Sequence, residues 1–146
     1  MNKIIKILFI LVVINLIYSA KLQQDIRQIK NLIQEKQDKV AVTATMYFPV
    51  EGQCDKDPLV TACMAKINPK KASSHKWIAV SRDLLKKNGG KFNYGDTVTI
   101  SNAGMKSGKY KVMDTMNKRF RNRIDFLETA GTKPYKFNNV IMVKSS

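Results

Sequence analysis

Two aspartates, Asp114 and Asp125, stand at either end of a ten-residue connection. Four basic residues lie between them: Lys118, Arg119, Arg121 and Arg123. Each aspartate is next to apolar residues, so we expect both carboxylates to be partly shielded from water. Desolvation and a second nearby carboxylate both disfavour the charged form, which raises the pKa and leaves a general acid available near neutral pH. The alternative is that both aspartates form ion pairs with the four basic residues.

The segments on either side of this connection have the pattern of short strands. Tyr110 and Val112 alternate with lysines, which is the period of a half-buried strand, and residues 124–127 form a second apolar segment. Four more β-branched or aromatic runs occupy residues 42–48, 77–80, 97–100 and 139–143. We also predict a turn of helix over residues 82–87 and a short helical piece from 128 to Gly131. Six short strands with small helical insertions predict a mainly β chain that folds as a closed barrel.

The net charge limits the partners of this chain. The 146 residues include 26 Lys and Arg against 11 Asp and Glu, and residues 40–146 alone carry a net charge of +11. Such a field attracts nucleic acid, anionic lipid or acidic cell-wall polymers. The aromatic residues do not alternate with the basic ones in a base-stacking pattern, so we predict no nucleic-acid partner.

The cysteine and histidine content favours a disulfide over a metal site. Cys54 and Cys63 are nine residues apart and would close a small loop in an exported protein. The chain has one histidine and lacks a Cys-x-x-Cys motif, so we predict neither a zinc site nor a cofactor.

Residues 1–20 are typical of an export signal. Lys3 and Lys6 precede an apolar run from Ile7 to Tyr18, and Ser19 and Ala20 follow it. An uncleaved membrane anchor is the alternative, although a spanning helix needs about 20 apolar residues. In both cases the rest of the chain crosses the membrane, which predicts an exported protein of the cell envelope, periplasmic, secreted or anchored to the inner membrane.

Residues 21–39 have the composition of a helix. One narrow apolar stripe runs along this segment, formed by Leu22, Ile26, Ile29 and Ile33. We predict a helical stalk, able to self-associate if the anchor is retained; the alternative is a frayed leader without a partner. The chain therefore divides into a signal or anchor (1–20), a stalk (21–39) and a β domain (40–146).

The motifs of the β domain, taken in order, resemble those of a known family. They are Thr43-Ala44-x-x-Tyr47, Thr61-Ala62, Ile78-Ala79-Val80 with Asp83, Tyr94-Gly95-Asp96-Thr97-Val98, Asp114-Thr115 and Asn122-Arg123-Ile124-Asp125. This order resembles the three-aspartate (3D) domain over roughly residues 42–145. That domain is the catalytic double-psi β-barrel of membrane-bound lytic transglycosylase A and of related wall-remodelling proteins.

The resemblance implies a lytic transglycosylase that cleaves peptidoglycan between N-acetylmuramic acid and N-acetylglucosamine with a 1,6-anhydro product. Asp125 matches the single catalytic acid and base, and Asp114 matches the second family aspartate, which holds the loop and raises the pKa of that acid. Asp83 lies near the first family aspartate but is displaced, because Ser81 and Arg82 intervene after Ala79-Val80. The glycan-binding positions implied by the same motifs are Thr43, Tyr47, Thr61, Thr115, Asn122 and Arg123.

Besides the displaced Asp83, the sequence departs from the family pattern where the family has glycines. Met116-Asn117 replaces a pair of glycines, and Cys63-Met64 replaces a small residue and a glycine. If those glycines allow a sugar to approach the backbone, bulkier side chains narrow the cleft. Two alternatives follow from these departures: a different wall substrate, or a barrel that binds peptidoglycan without cleaving it. A phage lysis protein of the same fold, which would also begin with a signal anchor, is a further alternative.

Overall fold

A computed structural model describes residues 2–52 and 57–145, apart from the side chains of residues 35–38. The chain divides into two units between Asp38 and Lys39. The first unit is a single helix, α1 (Lys3–Asp38), so the predicted signal and the predicted stalk belong to one uninterrupted element. Its stretch Lys3–Gln34 is long and apolar enough to cross a membrane, and the most apolar part has a mean hydropathy of 2.1. Such a helix fits a signal or a membrane anchor.

The second unit contains six strands, and each lies where the sequence pattern predicts one. They are β1 (Lys39–Tyr47), β2 (Trp77–Val80), β3 (Thr97–Ser101), β4 (Gly108–Thr115), β5 (Arg123–Leu127) and β6 (Phe137–Lys144). With the 36-residue helix α1, the whole chain is mixed α and β.

The six strands form one mixed sheet whose hydrogen-bonded order closes on itself: β1, β5, β2, β4, β3, β6 and back to β1. Two neighbouring pairs, β1 with β5 and β2 with β4, are parallel, and the other four pairs are antiparallel. This set of pairs is unchanged when β1, β2 and β3 are exchanged with β4, β5 and β6. The ring therefore has an internal two-fold relation between its first and last three strands.

Apolar side chains pack on both faces of the strands. The large cluster contains the alternate residues Ile78 and Val80 of β2 and Ile124 and Phe126 of β5, all fully buried. The small cluster lies on the opposite face and consists of Tyr47, Ile67, Ala72, Ala79, Met116 and Leu127. Because successive side chains of a strand point to opposite faces, Asp125 lies on the face of the small cluster.

One helical prediction is confirmed in part and the other was wrong. Residues 82–88 form two 3₁₀ turns, Arg82–Leu84 and Lys86–Asn88, which are interrupted at Leu85 because this residue is extended and forms a β-bridge with Phe92. Gly90 ends this segment. A Cβ at this position would lie 2.1 Å from the carbonyl carbon of Leu84, so no residue larger than glycine fits there. Residues 128–131 are not helical, because the buried Glu128 accepts bonds from Ser73, Lys106 and Tyr135 instead.

Candidate active site

An open cleft of about 950 Å³ lies at the carboxyl ends of β1 and β4 and beside the middle of β5. Among the described residues that line it are five of the nine predicted site residues: Asp125, Asp114, Tyr47, Thr61 and Thr115. The sequence motifs separated by up to 78 positions therefore meet on one surface. The other four predicted residues, Asp83, Thr43, Asn122 and Arg123, lie outside the described lining.

The strand register places the two cleft aspartates on either side of one small residue. Ala79 of β2 pairs with Asp114 of β4 on one side and with Asp125 of β5 on the other. Thr45 of β1 then pairs with Asp125, which completes a row across four strands. With strands about 4.8 Å apart, the Cα atoms of the two aspartates are about 10 Å apart. The methyl group of Ala79 leaves the space between the carboxylates open.

Asp114 belongs to this row because of an irregularity in β4. Ile78 pairs with Val112 and Ala79 with Asp114, so two residues of β4 stand opposite one step of β2. Without this bulge the period of two would turn Asp114 to the large cluster, with Tyr110 and Val112. The bulge turns the carboxylate to the cleft instead.

Asp125 is half-buried, and among the described residues one hydroxyl group forms a hydrogen bond with it. Thr45 Oγ1 donates a hydrogen bond to Asp125 Oδ1. Burial raises the pKa of Asp125, and the Thr45 hydrogen bond and the charge of Arg123 offset only part of that rise. The net pKa therefore lies above the ordinary value of a carboxyl group, in the direction that a general acid requires. Among the described residues Asp125 forms no ion pair at contact distance.

Asp114 is held by donors from three parts of the chain. Its Oδ1 accepts hydrogen bonds from the N–H groups of Ala62 (2.9 Å) and Thr115 (2.8 Å), and its Oδ2 accepts one from Tyr47 Oη (3.1 Å). Ala62 lies in the long connection between β1 and β2, so this carboxylate ties that connection to β4 and to the end of β1.

Thr61 shapes the turn that presents the Ala62 N–H. The Thr61 side chain is buried, and its Oγ1 accepts a hydrogen bond from Ala65 N (3.1 Å) while Thr61 N donates to Ala65 O (2.9 Å). Cys63 Sγ, inside this turn, lies 3.3 Å from Thr61 Oγ1 and 4.0 Å from Met113 Sδ. The predicted partner of Cys63, Cys54, is outside the described residues, so the disulfide stays a prediction.

Asp83 has a different environment from the cleft aspartates. Its Oδ2 accepts the N–H of Asn122 at 3.0 Å, at the end of the connection between β4 and β5. Burial alone would raise the pKa of Asp83, but the hydrogen bonds from the Asn122 N–H and the Ser81 hydroxyl, with the charge of Arg121, lower it below the ordinary value. Asp83 is thus a charged group that anchors a loop.

The main chain of the remaining predicted residues joins the same loop to its surroundings. Asn122 has a left-handed backbone (φ 47°), and its carbonyl accepts the N–H of Thr43 at 3.0 Å. Arg123 N donates to Ser81 Oγ at 3.0 Å, and Arg123 O accepts Ser81 N at 2.8 Å. These contacts fix where β5 begins and therefore where Asp125 lies. The Thr115 hydroxyl donates a hydrogen bond to Val80 O at 3.2 Å, which fixes the position of the end of β4.

The basic connection between β4 and β5 contributes an aromatic group to the cleft. Phe120 lines the cleft, with the guanidinium carbons of Arg119 and Arg123 at 4.8 and 5.0 Å from its ring centre. Arg119 also lines the cleft, and Arg82 does so from the β2 side. The rim therefore carries two guanidinium groups beside the two carboxylates.

Two contacts of the site were not predicted from the sequence. Thr45 binds Asp125, although the motif had singled out Thr43 and Tyr47; the period of two along β1 was the signal, since Thr45 shares a face with Tyr47. The Ala62 N–H is a main-chain group, so the residue types do not indicate that it binds Asp114. Comparison with models of protein families and with curated proteins finds no match for this chain. Its function is therefore argued from the geometry of the cleft.

Proposed function

We propose that residues 39–145 form a peptidoglycan-cleaving domain of the lytic transglycosylase type. One observation carries the proposal: Asp125 is a half-buried carboxyl with a raised pKa on the floor of an open cleft, bonded to a hydroxyl group. A carboxyl in this setting keeps its proton to higher pH than an exposed carboxyl does, which favours its action as a general acid and then as a base.

The same proposal assigns the ring of strands to the double-psi β-barrel. The two-fold relation of the strand pairs supports it, with β1–β5 exchanged for β4–β2 and β1–β6 for β4–β3. The row of paired residues across four strands, Thr45, Asp125, Ala79 and Asp114, also supports it. In this fold the two parallel pairs bring the connections after β1 and after β4 side by side, and here both connections line the cleft.

In the first half of the reaction Asp125 acts as the acid. Its carboxyl proton moves to the glycosidic oxygen while the bond from that oxygen to C1 of N-acetylmuramic acid breaks. Positive charge develops on C1 and the ring oxygen of the sugar. The carboxylate that remains on Asp125 lies in the same partly desolvated position and stabilises this charge.

In the second half Asp125 acts as the base. It takes the proton of the C6 hydroxyl group as the C6 oxygen forms a bond with C1, which yields the 1,6-anhydro product without water. One carboxylate serves both steps, so no nucleophilic carboxylate is required. Asp114 positions the connection that contains Ala62 and so shapes the wall of the cleft beside the acid.

The charges of the cleft rim agree with an acidic polymer as substrate. Arg82 and Arg119 line the cleft, and residues 40–146 carry +11 in all. Peptidoglycan presents lactyl and peptide carboxylates along its glycan strand, and guanidinium groups bind carboxylates in pairs of hydrogen bonds. We place the glycan along the carboxylate row and its peptide carboxylates at the rim.

A second candidate function is binding of the wall without cleavage. Met116 favours it, because this residue stands where the family has a glycine, lines the cleft and packs in the small cluster with 6% of its surface exposed. A side chain fixed there narrows the approach of a sugar to Asp125.

Digestion of purified sacculi separates the two functions. Sacculi incubated with the full chain are sedimented, and the supernatant is examined by mass spectrometry for muropeptides that end in a 1,6-anhydro sugar. We expect such products and their loss in Asp125→Asn. Sedimentation of the protein with sacculi that release nothing would establish the binding function instead.

A further inference from the structure

Helix α1 carries one mostly apolar stripe from Ile5 to Ile33. The stalk residues Leu22, Ile26, Ile29 and Ile33 are spaced by four, three and four positions. Because α1 has no break, the same spacing extends towards its N-terminus. It reaches Ile5, Leu8, Val12, Asn15 and Ser19. The nine stripe positions from Ile5 to Ile33 therefore span four heptads on one face, which is enough for a coiled coil, although the stalk alone is too short for one.

The stalk part of this stripe is uncovered among the described residues. Leu22, Ile26 and Ile29 expose 59%, 44% and 56% of their surface. A row of apolar side chains exposed to water on a helix is stabilised when the apolar stripe of another helix covers it.

The membrane part of the stripe contains two polar residues. Asn15 interrupts the apolar run, and Ser19 follows one turn later on the same face. In a bilayer an amide side chain has no water with which to form hydrogen bonds, so a hydrogen bond to a neighbouring helix is favourable. A second copy of α1 supplies an identical Asn15 at the same depth.

The charges beside the stripe indicate the orientation of the two copies. Asp25 and Lys30 flank the stripe on opposite sides and are five positions apart. In a parallel pair of helices these are the two positions that meet across the interface, the first from one helix and the second from its partner. Each parallel pair therefore forms two Asp25–Lys30 contacts between the copies.

We propose that this chain is a parallel homodimer held by α1, with the stripe from Ile5 to Ile33 as its interface. The alternate stripe positions Ile5, Val12, Ile26 and Ile33 carry β-branched residues, and Leu8 and Leu22 stand between them. β-Branched residues at one set of positions with leucine at the other favour two helices over three or four; Asn15, Ser19 and Ile29 are the three stripe positions outside this pattern. The dimer presents two β units from one membrane anchor, whatever reaction those units perform.

Disulfide trapping in membranes tests the face. Leu22→Cys places a thiol on the stripe, and Gln24→Cys places one on the opposite face of the same turn. Both variants and the wild type, whose native cysteines set the background, are oxidised as full chains in vesicles. We expect at least tenfold more covalent dimer from Leu22→Cys than from Gln24→Cys. Equal yields from the two variants, or none above the wild type, would overturn the proposal.

Charge reversal tests the orientation. Asp25→Lys should weaken dimerisation of the full chain in detergent micelles by roughly threefold to tenfold, measured by sedimentation equilibrium. The double variant Asp25→Lys with Lys30→Asp should restore the wild-type constant, and the matched reversal Arg27→Asp, off the interface, should leave it unchanged. Equal effects of Asp25→Lys and Arg27→Asp, or no rescue by the double variant, would refute the parallel pair.

The proposal also requires that α1 stays intact. The mass of the protein recovered from bacterial membranes should include residues 1–20. A mature chain that begins after Ala20 would overturn it.

Discussion

The first three strands of the ring and the last three pair in the same way, but their connections differ. Between β1 and β2 the chain runs through 29 residues, from 48 to 76, whereas the equivalent connection between β4 and β5 has seven, from 116 to 122. Both connections line the cleft. The long one covers the small cluster with Ile67 and Ala72, and the short one carries the basic residues and Phe120.

The side chains that the two halves direct to the cleft also differ. The two-fold relation that exchanges the halves matches Thr45 of β1 with Asp114 of β4, and Ala79 of β2 with Asp125 of β5. The first half therefore contributes a hydroxyl and a methyl group where the second contributes two carboxylates. A symmetric backbone thus builds a row of four equivalent positions, and the proposed chemistry comes from the side chains of one half only.

Within the second half the two carboxylates are bonded to different extents. Asp114 accepts hydrogen bonds from Ala62, Thr115 and Tyr47, and we assign it a positioning role. Asp125 is bonded to the Thr45 hydroxyl and has a raised pKa, and we assign it the proton transfers. Four substitutions test this division.

The largest effect belongs to Asp125→Asn. The amide keeps the shape of the carboxyl and its contact with Thr45 but cannot transfer a proton, so glycan cleavage should fall by about 10²–10⁴-fold. Binding to sacculi should persist, as measured by co-sedimentation. Asp57→Asn, which changes another cleft carboxylate in the same way, is the control and should retain activity. Equal rates for the wild type and Asp125→Asn would remove Asp125 from the mechanism.

Asp114→Ala should have an intermediate effect on activity. The Ala62 N–H loses its acceptor, so the long connection loosens beside the acid and cleavage should fall by about 10–100-fold. The free energy of unfolding should fall by about 1–3 kcal/mol, measured by urea denaturation.

The control for Asp114 is Asp96→Ala, because Asp96 also accepts a main-chain N–H, that of Asn93, away from the cleft. We expect that control to lose stability and keep its activity per folded molecule. Full activity of Asp114→Ala would contradict the positioning role.

Thr45→Val should shift the pH dependence with a small change in maximal rate. The Thr45 hydrogen bond lowers the pKa of Asp125, so its removal raises that pKa further. Cleavage requires protonated Asp125, and the limb on which activity declines with rising pH should therefore move to higher pH. Thr43→Val, two residues earlier on β1, should leave the limb in place. A shift to lower pH would show that another group controls this limb.

Asp83→Asn should have the smallest effect on activity, less than about tenfold, since Asp83 anchors the loop through Asn122. Its pKa is lowered in the folded protein from an ordinary value of 3.8, so its charged form stabilises the fold. That contribution is present above pH 3.8 and is lost as the pH falls through the folded pKa. Thermal unfolding should therefore separate the wild type from Asp83→Asn by about 1 kcal/mol at pH 7 and by nothing at strongly acid pH. A difference that grows on acidification would contradict this account.

The strands could be predicted because their apolar pattern is local. Residues 77–80 were predicted with their exact bounds, and the other five strands differ only in their ends. The turn of helix predicted over residues 82–87 is present as two 3₁₀ turns, and the break between them has a tertiary cause. Leu85 is extended because it forms a β-bridge with Phe92, a pairing that the apolar pattern does not indicate.

The sequence motifs named five of the residues that line the cleft, but they did not predict the geometry that brings these residues together. A strict period of two along β4 places Asp114 with Tyr110 and Val112 in the large cluster, and only the bulge turns it to the cleft. The pairing partner of β4 decides where a bulge forms, and that partner is 28 or more residues away in the chain. The contact between Asp114 and the Ala62 N–H depends on the same long-range pairing, so no local sequence pattern predicts it.

Digestion of sacculi in water enriched in oxygen-18 tests the central claim most directly. If Asp125 takes the proton of the C6 hydroxyl while that oxygen closes on C1, no solvent oxygen enters the product. We predict released muropeptides that end in 1,6-anhydro sugars and carry no oxygen-18, as read by mass spectrometry, and their absence with Asp125→Asn. Reducing ends labelled with oxygen-18, or products that persist in Asp125→Asn, would contradict a single carboxyl acting first as acid and then as base.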